Sequence, residues 1–159
     1  MHIHEEAVER HVLAVLVDNE AGILARIAGM FTARGYNIES LTVADISEDH
    51  AISRITIATN GPPHVPVHSV RDLTESGPHV QRELALVKVA GKGENRIEAM
   101  RLADAYRARI VDASTESFIF EITGAPEKIE TFVTLMREVG LVEVGRTGVV
   151  AVSRGPNAG

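Results

Sequence analysis

Asp18-Asn19-Glu20-Ala21-Gly22-Ile23-Leu24 is the stretch whose residue types and spacing hold the most chemistry. It joins a β-prone run to a helical one, and a helix start carries backbone N–H groups without helical acceptors and a partial positive charge. A carboxylate seats naturally there. Gly22 lets a ligand come close to the backbone. The carboxamides of Asn19 and Asn37 each carry donors and acceptors, so together they can hold an ammonium and a carboxylate. The ligand this suggests is a small free amino acid, its side chain resting against Ile23 and Leu24. Turn, cap and helix-stop roles account for the same polar residues without any ligand.

Other constellations are weaker. His64 and His68 sit in His-Val-Pro-Val-His, with His79 further on, but the prolines forbid a helix that would align the first two on a metal. They read as surface histidines, as do His2 and His4. Gly91-Lys92-Gly93 lacks the Gly-Lys-Ser/Thr ending of a phosphate loop and reads as a tight strand-to-helix turn. Arg101, Arg107 and Arg109 are diluted by Glu94, Glu98 and Asp104, the pattern of a solvated helix face. No nucleophile is paired with a base, no Gly-x-Ser-x-Gly elbow occurs, and no two carboxylates have a spacing that implies acid–base work. The residues point to binding rather than catalysis.

Composition narrows the partners. Hydrophobic residues make up 45% of the 159 and aromatics only 4%, with no Trp, so the core is built from Val, Ile, Leu and Ala. A net charge of -6 disfavours tracking along nucleic-acid phosphates. The absence of cysteine removes disulfides and thiolate zinc sites. No apolar run approaches the roughly 20 residues that span a bilayer. Met1-His2-Ile3-His4-Glu5-Glu6 is unlike a secretion signal, and a cytoplasmic protein is the expectation.

The elements that must position the loop repeat along the chain. After a lead-in at 1–10, His11 to Val17 is apolar on both faces, as in a central strand. Ile23, Leu24, Ile27, Ala28 and Phe31 form a helical stripe that Gly35 stops. Strands follow at Ile38 to Ala44 and Ala51 to Ala58, joined by a turn at 47–50. The second half repeats the order. A strand spans Arg82 to Val89, and a helix spans Asn95 to Ala108 with Ile97, Met100, Ala103 and Tyr106 on one side. Strands at 110–113 and 117–122, a helix from Pro126 to Gly140, and a last strand from Leu141 to Val152, either continuous or as two short ones split near Gly148, complete it. Offsets of 71 for the first strand and 72 for the third element relate the halves. Each half is a βαββαβ unit, so the fold class is α+β, with tandem ferredoxin-like units at 11–74 and 82–155, a linker at 75–81 and a tail at 156–159. The open face of each sheet needs a cover, most simply another copy of the unit.

The first unit is incomplete in sequence. Residues 61–67 (Gly-Pro-Pro-His-Val-Pro-Val) are too short and too proline-rich for the expected second helix, because a crossover with its helix takes about 10–12 residues.

Gly35-Tyr36-Asn37-Ile38-Glu39-Ser40-Leu41-Thr42-Val43 resembles a signature of the regulatory small subunits of acetolactate synthase. Asn19 to Arg26, Val80 to Val89 and Gly145 to Val149 resemble further blocks of that family in the same order. The resemblance covers nearly everything from His11 to Gly155. It implies that the first unit is an ACT domain, and that the second is a related ferredoxin-like domain. It also implies a homodimer in which valine binds at the interface through Asn19, Gly22 and Asn37, with Ile23 and Leu24 alongside. The implied partner is the catalytic large subunit of acetolactate synthase, which carries thiamine diphosphate, FAD and Mg; this chain is expected to hold no cofactor and no metal. The implied function is non-catalytic: stimulation of that subunit and feedback inhibition by valine in branched-chain amino-acid biosynthesis. An ACT-domain sensor regulating a different enzyme fits the loop around Asn19 equally but not the second-half blocks. An RNA-binding sheet wants stacking aromatics and basic charge that these strands lack.

Overall fold

A computed structural model describes residues 9–61, 71–73 and 77–156. His2, His4, His64, His68 and the proline-rich segment read as lacking a helix, from residue 62 on, lie outside them. Along the chain run β1 (Glu9–Asp18), α1 (Ile23–Ala33), β2 (Asn37–Asp45), β3 (Ile52–Gly61), β4 (Arg71–Asp72), β5 (His79–Ala90), α2 (Glu94–Ala105), β6 (Arg109–Ala113), β7 (Ser117–Gly124), α3 (Pro126–Val139), β8 (Leu141–Arg146) and β9 (Val150–Ser153). They fall into two units, residues 1–80 with 149–159, and residues 81–148. Residues 149–155, which the sequence assigns to the second half, thus group with the first.

In the first unit the sheet order is β2-β3-β1-β4, with antiparallel pairs throughout. This is the strand order of a ferredoxin-like sheet. β1 is central, which is why its run is apolar on both faces. On one face Leu13, Val15, Ile55 and Ile57 pack under Ile27 and Phe31 of α1 and under Tyr36. On the other, Val12 and Ala58 are covered by Leu73, Val149 and Ala151. The Arg54 guanidinium donates to the Ala151 carbonyl at 2.7 Å. The chain's own last strand therefore covers part of the face for which a second copy is expected.

In the second unit the order is β6-β7-β5-β8, again antiparallel. Val87, Phe120 and Ile122 pack under Ile129, Phe132 and Met136, the α3 stripe expected from the sequence. Gly140 ends α3 with φ 119°, and a Cβ there would stand 2.2 Å from the Ala90 carbonyl oxygen, so only glycine fits. Glu83, 5% exposed, is gripped by Arg146 through Nε (2.6 Å) and Nη2 (3.0 Å), and Arg146 Nη1 reaches Glu130 at 2.6 Å. That grip holds the guanidinium charged well beyond its ordinary range, chiefly through the Glu83 bond.

The repeat has one register, and it corrects two expectations. Leu13, Val15, Ile27, Phe31 and Ile38 correspond to Ala85, Val87, Ala99, Ala103 and Ile110, an offset of 72 in every case. The offset of 71 for the first strand would turn its inward residues outward, since strand side chains alternate. In α2 the buried residues are Ala99 and Ala103, matching Ile27 and Phe31, with Leu102 and Tyr106 against the core. Ile97 and Met100, expected on the inner stripe, are 52% and 46% exposed. Small alanines let α2 lie close to its sheet, and larger apolar residues nearby mask that face in the sequence. Among the described residues no helix is long and apolar enough to cross a membrane.

Candidate functional site

β1 ends at Asp18, and the chain turns through Asn19 to Ala21 into α1. Gly22 is the helix N-cap, with φ 80° and ψ 0°, a left-handed conformation that glycine adopts without strain. No side chain caps this end and no acidic residue lies in the first turn, whereas α2 and α3 begin with Glu94 and Glu127 in theirs. The positive end of α1 is therefore not neutralised by a carboxylate of its own first turn. Beside it lies a shallow cleft of about 440 Å³ lined by Leu16, Val17, Asp18, Glu20, Ile23, Arg26 and Ile52. Its lining mixes apolar strand and helix residues with the charged Asp18, Glu20 and Arg26. Arg26 and Glu20 form an exposed pair at 3.9 Å.

Asn19 does not line this cleft; its side chain reaches across to the β2–β3 hairpin. Its Nδ2 donates to the His50 carbonyl at 2.9 Å and to Asp45 Oδ1 at 3.3 Å. Asp45 also accepts from the Ser53 hydroxyl at 3.1 Å and lies 3.2 Å from His50 Nδ1. The backbone secures the same junction, with Asn19 N–H donating to the Ala51 carbonyl at 2.8 Å. His50 holds φ 56°, which aims its carbonyl at Asn19. The hairpin is tied further by Ile52 N–H to the Ser47 hydroxyl (3.0 Å) and Ala51 N–H to Asp49 (3.2 Å). The Ser47 side chain, hydrogen-bonded to Asp49, and next the Ala51 N–H hold the Asp49 carboxyl below the usual carboxylate range.

Asn37 is elsewhere. It opens β2 opposite Asn60, which pairs with Arg10 at the start of β1. From Arg10 to Asn19 is the length of β1, roughly 30 Å at the rise of a strand. Within one copy of the chain, Asn19 and Asn37 therefore stand at opposite ends of the sheet and cannot hold one amino acid together. Around Asn37 the Thr59 hydroxyl donates to its carbonyl at 2.7 Å, Arg10 pairs with Glu39 at 3.1 Å, and Asn60 bonds Glu39. Ile23 is half-buried against the first core, and Leu24 is exposed and outside the cleft.

Sequence reasoning missed Asp45, His50 and Ser53. They lie 26 to 34 places from Asn19, and only the antiparallel register of β2, β3 and β1 brings them there. In the second unit α2 also starts from a glycine N-cap, Gly93, but no asparagine stands in the Gly91-Lys92-Gly93 turn before it, so the same donor set does not recur. Among the described residues no three His, Asp or Glu side chains gather as a metal site, and His79 lies 3.2 Å from the Gly77 carbonyl.

Comparison with known proteins places this chain in a family. Residues 13–68 match the family model described as the AHAS small subunit-like ACT domain, and residues 82–155 match that of the small subunit of acetolactate synthase. A probable acetolactate synthase small subunit from Archaeoglobus fulgidus is 44% identical over 158 residues, covering 92% of this chain and 98% of that protein. The 158 aligned positions outnumber the residues that 92% of this chain supplies, so that relative carries residues with no counterpart here. The acetolactate synthase isozyme 3 small subunit of Salmonella typhimurium is 39% identical, over 92% of this chain and 96% of its own length. The crystal structure of the acetolactate synthase small subunit from Thermotoga maritima superposes with a TM-score of 0.80 at 34% identity, covering 94% of this chain and 99% of that one. Two family models in the expected order, relatives matched almost end to end and a shared fold lead to one conclusion: this chain belongs to the acetolactate synthase small-subunit family.

Proposed function

We propose that this chain is the regulatory subunit of acetolactate synthase, that it stimulates the catalytic large subunit, and that it confers feedback inhibition by valine. It does no chemistry itself; thiamine diphosphate, FAD and Mg belong to the partner. The observation that carries the reading is that both halves match small-subunit families on a chain that also holds Asn19 beside an uncapped helix start at Gly22.

Valine's carboxylate would take the free N–H groups of the first turn of α1, with Ile23 and Leu24 near its side chain. Its ammonium would take the Asn19 carboxamide oxygen. The separation of Asn19 from Asn37 in one copy supports a site built from two, with Asn37 supplied by the second protomer of a homodimer. Valine bridging two protomers favours the dimer arrangement that holds it better, and only that difference in affinity moves the equilibrium. Asn19→Ala tests the reading: the variant should still bind and stimulate the large subunit but lose its response to valine. Inhibition by valine at the wild-type concentration would remove Asn19 from the site.

A further inference from the structure

β6 is an edge of the second sheet; among the described residues it pairs with β7 alone. All of Arg109-Ile110-Val111-Asp112-Ala113 is exposed. Such an edge presents unpaired N–H and C=O groups, a template for another strand. The helix beside it adds apolar surface. The Arg96 guanidinium of α2 lies 3.8 Å over the ring of Phe118, which pairs with Ala113, and it donates to the Ser114 carbonyl at 2.7 Å. That flank of α2 therefore overhangs the β6 side of the sheet. Met100 follows Arg96 by one turn on the same flank, with Ile97 beside it, and both are exposed, as are Ile110 and Val111. With the repeat phased at 72, the first unit carries Ala25, Ala28, Ile38 and Glu39 at these four places. Large exposed apolar side chains at all four are thus particular to the second unit.

The charges on the edge say which strand fits it. Arg109 stands opposite Glu121 and Asp112 opposite Ile119, with the bulge at Val111 between them. Glu121 and Ile119 are two places apart in β7, so Arg109 and Asp112 share one face although they are three places apart. Arg109 is only loosely held by its own sheet, 3.8 Å from Glu121. A second β6 laid antiparallel and centred on Ile110 and Val111 brings Arg109 of each copy alongside Asp112 of the other. A parallel copy in register sets like charge on like, and an edge without this charge order finds no match.

We propose that the β6 edge, with Ile97 and Met100 over it, is an interface with a second copy of this chain, the two β6 strands running antiparallel. Ile110 and Val111 supply apolar burial at its centre, and the Arg109–Asp112 pairs select the orientation and the partner. This contact does not depend on the amino-acid site proposed above.

The test is hydrogen exchange at Ile110 to Ala113 in the full chain, with the β5 amides as the control for folding. Four samples are compared: wild type, Arg109→Asp, Asp112→Arg, and an equal mixture of the two variants incubated until subunits have exchanged. R109D alone sets carboxylate against carboxylate across the edge, and D112R alone sets guanidinium against guanidinium. Each should exchange roughly tenfold faster than wild type, as two cross-strand attractions become repulsions. The mixture restores opposite charges across the edge and should return toward the wild-type rate, a rescue that damage to the fold would not show. Equal exchange in all four samples, protection kept by either variant alone, or a mixture as fast as its components would each overturn the pairing. An edge protected only when the catalytic large subunit is added would overturn it too, since that subunit and not a second copy would then cover β6.

Discussion

Arg146→Met should destabilise the second unit far more than removal of Arg146 and Glu83 together. Glu83 is buried in β5, and both its oxygens are spent on Arg146. Taking the guanidinium away leaves a buried carboxylate without its counter-charge, a change that costs about 3–5 kcal/mol in such pairs. Arg146 is itself 34% exposed, so water can reach the vacated side, and the lower end, about 3 kcal/mol, is expected. The lost hydrogen bond to Glu130 adds little, because that carboxylate is exposed. Glu83→Leu combined with Arg146→Met removes both charges and leaves an apolar patch between β5 and β8, so most of the loss should be regained. Urea unfolding followed by circular dichroism, with hydrogen exchange at Ala85 to Val89 reporting the second unit alone, measures both variants. At a slope of about 1.5 kcal/mol per molar urea, R146M should lower the midpoint by about 2 M. Equal destabilisation by R146M and by the double variant would refute the reasoning, since the loss would then be packing rather than an uncompensated charge.

Three further outcomes follow from the geometry. Gly140→Ala should cost about 3 kcal/mol or more, from positive-φ strain plus a contact with the Ala90 carbonyl that a shift of backbone must relieve, while Gly145→Ala, with open space around it, should fall within about 0.5 kcal/mol of wild type in the same unfolding assay. If one valine site takes Asn19 from one protomer and Asn37 from the other, mixed dimers of N19A with N37A contain one intact site, and calorimetry should find about half the wild-type valine capacity where each pure variant shows none. The Lys88 ammonium at 2.7 Å holds the Glu143 carboxyl below the usual carboxylate range. Because that shift is downward, the strand pairing it supports is at full strength above the unfolded carboxylate value and weakens as pH falls through the folded one; an NMR titration should show the shift vanish in Lys88→Met.

Much of the fold is written locally. The strand and helix runs, the stop at Gly35 and the Pro126 helix start are all short-range signals, and the elements follow them within a few residues. What was not legible depends on register and on returns of the chain. Ile97 and Met100 look like a core stripe only until the 72-residue repeat is phased on Ala99 and Ala103. The covering of Val12 and Ala58 by Val149 and Ala151 joins residues more than ninety places apart, and no periodicity encodes it. At the site, Asn19 and Gly22 announce themselves through a strand–turn–helix junction. Asp45 and Ser53 do not, because a Ser or an Asp near a hairpin is a common turn residue until the strand pairing puts it beside Asn19. The distance between Asn19 and Asn37 is likewise a property of the sheet, since sequence spacing alone says nothing about which end of a strand a residue occupies.

The most direct measurement is acetolactate formation by the purified large subunit alone, with this chain, and with this chain plus valine. The regulatory reading requires that the chain raise the rate and that valine then lower it, with no product from the chain by itself. A rate unchanged by the chain at saturating concentration would contradict the assignment. Stimulation that valine leaves untouched would keep the partner but contradict the sensing site at Asn19 and Gly22.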